Sequence, residues 1–390
     1  MIELKKDQGI PRSVLFMMSI VSGLTVANLY YNQPLLEDIR KDLSASEFQS
    51  NFITFVTQAG YALGLLLIVP LADMWSRRRI AATTMMGAAI MLALIAFSHH
   101  VQVLWAASLL LGICSVLPQM FVPMARLYSL PQNKSRNMGY VLSGLLSGVL
   151  GARVISGYVG DWLGWRPLFA MAAIVMLICL VVILRMMPKM QPTYQGNFVG
   201  LMQSIVTIYR QHPLIRLYSI RAAFAFGSMM SVWSCMAFHL SGAPFYASSE
   251  AVGMLGLCGM AGAMAASGIG RYIPRFGIMR ISFVGSCLQM SAWAVAWLFS
   301  SSYVALIATI ILVDIGTQCH QLSNQSGCLA QTPKATNRSN TLFMFHLFVG
   351  GSLGTLSAGL AWSVMGWSGV CISGLALAIV SMLITLISHK

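Results

Sequence analysis

From Ser13 to Ser388 the chain is a succession of near-continuous apolar stretches of about 20 residues, separated by short polar loops. As a helix, each stretch is long enough to cross a hydrocarbon core about 30 Å thick. A backbone in lipid must satisfy its own hydrogen bonds, which leaves helices or a closed barrel. A barrel would show alternating segments of about 10 residues, and these are absent. Composition agrees: charged residues make up 9% of the chain, against roughly 25% in a soluble globular domain. The expected fold class is an all-α membrane protein with twelve transmembrane helices.

The spans are expected near 13–36, 50–72, 80–98, 103–124, 138–160 and 167–187, then 214–240, 251–273, 281–300, 303–326, 341–365 and 367–387. The polar stretch 188–213, with Lys189, Gln191, Asn197 and Arg210, reads as a cytoplasmic connector between six-helix bundles at 1–187 and 214–390. The halves echo one another, since Val69-Pro70-Leu71-Ala72-Asp73 to Arg79 and Gly270-Arg271-Tyr272-Ile273-Pro274 to Arg280 follow the second span of each. Parallel repeats of this kind predict two pseudo-symmetric bundles with a substrate site between them near the midplane.

The net charge of +14 does not imply a nucleic-acid partner, because the basic residues sit in alternate loops: Lys5, Lys6 and Arg12; Arg77 to Arg79; Arg126, Lys134 and Arg136; Arg185 through Arg221; Arg271, Arg275 and Arg280; Lys334 and Arg338. By the positive-inside rule those loops and both termini are cytoplasmic, and the expected location is a bacterial inner membrane, with an uncleaved first helix. The eight cysteines are scattered, without a CxxC pair or a histidine at ligand spacing, so neither a metal nor a disulfide framework is expected. No phosphate-binding GxxxxGK[ST] loop is present, which excludes ATP-driven pumping by this chain, and no cofactor is expected. A catalytic constellation is likewise missing, so an enzyme is not expected.

The segment Leu71-Ala72-Asp73-Met74-Trp75-Ser76-Arg77-Arg78-Arg79 resembles the GxLaDrxGrk signature loop of the major facilitator superfamily. Met74 replaces the first motif arginine, and Val69 and Ser76 replace its glycines. The run Asn28 to Leu36, the glycines of 144–157 and Asn340 to Gly354 look like the branch near twelve-helix drug:proton antiporters. Ala152-Arg153 stands where that branch has Gly-Pro in helix 5, and residues 108–112 lack its usual helix 4 arginine. The resemblance implies alternating access, with Asp73, Arg77, Arg78 and Arg79 bracing the bundles at the cytoplasmic side. It also implies proton-coupled efflux of a small organic molecule by a monomer. Import, facilitated diffusion and a non-transporting sensor with the same fold remain open.

Asp314 is the one acidic residue placed deep in a span, where an unpaired charge costs about 3 kcal/mol or more. It shares a helix face with Gln318, Gln321 and Gln325 at i+4, i+7 and i+11. That face is expected to line a cavity, with Asp314 taking up and releasing a proton; a structural ion pair is the rival reading. Arg153 is the one basic residue placed deep in a span and the expected partner of Asp314 in a gate. His346 is the second proton candidate. Asn28, Tyr30, Asn32 and Gln33 offer amides and phenol to a substrate, or simply anchor the end of the first helix. Gln119 and Trp233 are weaker substrate-binding candidates.

Overall fold

The computed structural model describes residues 3–190, 194, 196–332 and 335–388; Gln191 of the connector and Lys334 of the last basic loop lie outside the described residues. Ten helices are long and apolar enough to cross a membrane among these. One of them, Thr336–Ile387, runs 52 residues, about 78 Å at 1.5 Å per residue, and so cannot cross a membrane once. It turns back at Gly366 (φ 59°), and Met260–Leu298 turns in the same way at Gly277 (φ 78°). Only glycine adopts that left-handed backbone without strain, so these two positions fix the hairpins.

With the shorter first helix, twelve segments result. They are α1 (Arg12–Ala27), α2 (Glu47–Met74), α3 (Arg77–Phe97), α4 (Val101–Tyr128), α5 (Lys134–Leu163) and α6 (Trp165–Met186), then α7 (Pro213–Ser241), α8 (249–276), α9 (278–298), α10 (Tyr303–Ala330), α11 (336–365) and α12 (367–387). The chain is a multi-pass membrane protein. An additional helix, Phe198–Gln211, lies in the connector, and a two-residue parallel ladder, Glu3–Leu4 with Lys189–Met190, ties the N-terminal segment to the connector's start.

Polar side chains set several helix ends. Ser46 caps α2 in a capping box with Gln49, satisfying two backbone donors that would otherwise be orphaned. A break at Ser115, just before Pro118, divides α4, and a 3₁₀ turn at Gly256–Gly259 interrupts α8.

The two bundles repeat one packing device. A side chain added at Gly148 would lie 2.1 Å from the Gly23 carbonyl oxygen, and one at Gly354 would lie 2.2 Å from that of Gly227. Gly144 and Gly350 similarly meet the backbones of Ser19 and Ala223. So α1 on α5 and α7 on α11 are backbone-to-backbone crossings of the small-residue kind that lipid-embedded helices use, at corresponding places in each half. Between bundles, α2 runs beside α11 and α5 beside the start of α8.

Candidate functional site

At the end away from the basic loops, hereafter the far end, polar contacts join the bundles. The Ser249 hydroxyl donates to Asp38, the Trp362 indole donates to Glu47 at 2.7 Å, and Asn51 donates to the Ser234 carbonyl at 3.0 Å. Gly157 and Gly253 bring the backbones of α5 and α8 together there. Among the described residues, a side chain added at Gly139, Gly268 or Gly270, on the basic-loop halves of the same two helices, would meet no neighbouring helix within 4 Å. The far end is sealed while α5 and α8 part at the basic-loop end. A narrow cleft of about 40 Å³ enters there between α2, α4, α11 and the connector helix, and is lined by Gln119 and Met344 among others.

One turn inside the far-end seal, Arg153 of α5 is 3% exposed. Its Nε donates to Gln33 Oε1 at 2.8 Å. The guanidinium carbon lies 3.8 Å from the centroid of the Trp233 ring of α7 and 5.1 Å from that of Tyr30. Asp314 of α10 faces the same spot, its carboxylate beside the α8 turn at Gly259. A methyl added at Gly259 would be 3.0 Å from Asp314 Oδ2 and 3.9 Å from Arg153 Nη1. The 3₁₀ turn of α8 therefore borders both charged groups, and Gly259 leaves beside them the room a methyl would take.

The expected direct pair is not made: Arg153–Asp314 is absent from the ion pairs within 4 Å among the described residues. An amide and an aromatic face occupy the guanidinium instead. Asp314 Oδ1 and Gln33 Nε2 are both buried without a hydrogen-bond partner. Buried polar atoms in that state are uncommon and call for water, ion or ligand.

Other expected site residues scatter. Asn28 donates to Ser115 at 3.4 Å and Asn32 to Thr57 at 3.5 Å, contacts inside the first bundle. Gln318 and Gln321 are half-buried, and Gln325 donates to Asn340 at 2.8 Å. His346 stacks on Tyr209 of the connector helix at 5.1 Å and meets its hydroxyl at 3.2 Å. In the signature loop Asp73 pairs with Arg77 at 3.4 Å, Arg77 donates to Tyr128, Arg78 donates to the Leu184 carbonyl, and the Tyr194 amide donates to the Asp73 carbonyl at 3.0 Å. Arg79 is exposed.

Arg153 is not alone as a deep cation, which corrects the sequence reading. Arg221 is fully buried in α7, with Nε and Nη2 donating to Asn324 Oδ1 at 2.8 and 2.5 Å. His320 is equally buried, against Ser286 at 3.0 Å. Arg221 follows Arg210 and Arg216 closely in sequence and so reads as part of the basic connector, but α7 starts at Pro213 and carries it two turns inward. The signal that could have found this network is the spacing of Thr317, His320 and Asn324 on α10 facing Ser282, Ser286 and Gln289 on α9.

The sequence profile described as Major Facilitator Superfamily matches residues 15–355. An uncharacterized transporter of Escherichia coli, YgaY, is 32% identical over 380 residues, covering 97% of this chain and 96% of its own. A probable transporter of Streptomyces coelicolor is 29% identical, covering 92% and 84%. Among solved structures, a point mutant of the nucleoside transporter NupG superposes with a TM-score of 0.80 at 13% identity, over 97% of this chain and 100% of that one.

Proposed function

This chain belongs to the Major Facilitator Superfamily, and on that premise we propose that it exports a small organic molecule from the bacterial cytoplasm in exchange for protons. Bundles 1–187 and 214–390, joined by 188–213, rock about a midplane site. The basic-loop end is cytoplasmic, so the cleft faces inward in this conformation. Asp73, Arg77, Arg78 and Arg79 form the cytoplasmic brace that closes when the far end opens.

The observation that carries the reading is the pair of charges at the bundle interface, Asp314 and Arg153, which both border the α8 turn and form no ion pair with each other among the described residues. While Asp314 is bare, its field holds Arg153 against Trp233 and keeps the far end shut. Neutralising Asp314 releases that hold. A proton neutralises it from outside and a substrate from inside, through the orphaned Asp314 Oδ1 and Gln33 Nε2. Opening therefore needs the substrate, and exchange further requires that the far-end-open state return only after a proton has taken the substrate's place on Asp314. Tyr30 and Trp233 supply aromatic area for an amphipathic molecule, and Asn28, Asn32, Gln119, Gln318 and Gln321 flank the path.

The test is a pH-sensitive dye inside everted vesicles energised by respiration, with a panel of compounds. Alkalinisation of the lumen on adding a compound, absent from vesicles without the protein, supports proton-coupled export. A compound that accumulates in the vesicles with no pH response rules proton coupling out.

A further inference from the structure

We infer that the basic-loop end of the second bundle is a docking surface for anionic phospholipid headgroups, centred on Arg271, Arg275 and Arg280 at the α8–α9 hairpin. Between residues 162 and 390 the chain has only two acidic residues, Glu250 and Asp314. Glu250 opens α8 at the far end and Asp314 is buried in mid-span. From Arg185 onward, then, every basic loop at this end lacks a carboxylate of its own.

The first bundle is different. At the same end Asp7 pairs with Lys134 at 2.6 Å and Asp73 with Arg77 at 3.4 Å. Basic loops orient a chain during insertion whether or not they are paired, so orientation does not account for partial compensation in one half, where Arg79, Arg126 and Arg136 are exposed outside any ion pair among the described residues, and none in the other. A standing excess of exposed cations calls for anions from outside.

The geometry points to lipid as their source. Arg271, Arg275 and Arg280 are exposed and take part in no ion pair among the described residues. Between them Tyr272 and Phe276, 50% and 43% exposed, lie on one helix face with ring centroids 5.9 Å apart and planes tilted by 47°, and the Arg275 guanidinium lies 5.4 Å from the Phe276 ring. Aromatic rings interleaved with arginine suit the headgroup layer, where the ring sits among acyl carbonyls and the cation meets phosphate. Arg221 adds a buried charge behind the patch, its Nη1 2.9 Å from the Met279 sulfur. Bound anions here would hold the inner ends of α8 and α9 at the membrane surface.

Each arginine near an anionic surface contributes about fivefold in affinity, so the three together are worth roughly a hundredfold. The test is native mass spectrometry of the purified full chain with phosphatidylglycerol or phosphatidylcholine. The variants are Arg271→Gln/Arg275→Gln/Arg280→Gln, the corresponding triple lysine, and Lys134→Gln as a first-bundle control. The proposal expects phosphatidylglycerol to be retained over phosphatidylcholine by wild type, triple lysine and Lys134→Gln, and the preference to fall roughly a hundredfold in triple glutamine. The lysine variant keeps this readable if the glutamine variant folds poorly. Equal retention by wild type and triple glutamine overturns it, as does equal retention of the two lipids. Complete displacement by millimolar inorganic phosphate would assign the surface to a soluble anion and overturn it too.

Discussion

The guanidinium of Arg153 on α5 lies over the ring of Trp233 on α7, 3.8 Å from its centroid, so a cation of one bundle is seated on an aromatic face of the other. Desolvated contacts of this kind are worth about 2 kcal/mol. With Gln33 accepting from Nε, two neutral groups hold a buried charge that has no acid in contact.

Trp233→Ala is therefore expected to raise the far-end-open population about 30-fold, and Trp233→Phe by less, because the weaker ring keeps part of the attraction. Gln33→Leu leaves the Arg153 Nε unsatisfied, at about 1–3 kcal/mol, and shifts the balance the same way. Distances between spin labels on the α1–α2 and α7–α8 loops check both. Unchanged distance distributions in Trp233→Ala would remove the contact from the latch.

The matched glycine crossings make a second prediction, on folding. Gly148→Leu and Gly354→Leu drive side chains into the carbonyl oxygens of Gly23 and Gly227, and each should abolish most of the monodisperse yield in size-exclusion chromatography. Gly139→Leu, with open space beside it, should be tolerated. If the two crossing variants behave unlike each other, the halves do not share the packing device.

Much of this fold was legible because lipid imposes one rule on every span. Apolar length and alternating basic loops placed the helices, and the breaks at Gly277 and Gly366 fall between expected spans. The site was legible only in part. Asp314 and Arg153 stood out as charges in apolar helices and do converge, but the 3₁₀ turn at Gly256–Gly259 that borders them is a local unwinding that no periodicity signals. Asn28 and Asn32 would share one face of a first helix reaching residue 36, but α1 ends at Ala27 and the turns that follow it set both amides against α2, α4 and α6 of their own bundle. Helical spacing shows which residues lie together, not which neighbour they meet. Arg221 was hidden by the basic run before it.

A third prediction concerns pH. Burial pushes the Asp38 carboxyl above its usual value, with Glu37 and Asp161 adding to the rise and the Ser249 hydroxyl and Lys41 opposing it. Asp38 lies outside the spans, on the short helix Leu36–Asp42, and its burial rests on the closed far end. Opening hydrates it and returns it toward the ordinary value. The closed state therefore binds the proton more tightly, and closure is favoured as pH falls toward the ordinary carboxylate range and lost as pH rises through the elevated value. In the proposed cycle protonation of Asp314 acts in the opposite sense. In an Asp314→Asn background the spin-label distances across the far end should shorten on acidification, and Asp38→Asn should abolish that dependence. Persistence of the dependence in the double variant would assign it to another group.

The measurement closest to the central claim compares two modes of transport of a compound identified in everted vesicles, using reconstituted wild type and Asp314→Asn. In the proposed cycle asparagine stands in for the neutral carboxyl, so the bundles are expected to rock without a proton. Asp314→Asn is expected to exchange labelled for unlabelled compound at a rate near wild type, while losing accumulation driven by a pH gradient. Gradient-driven accumulation at the wild-type level in Asp314→Asn would contradict the assignment of coupling to this residue.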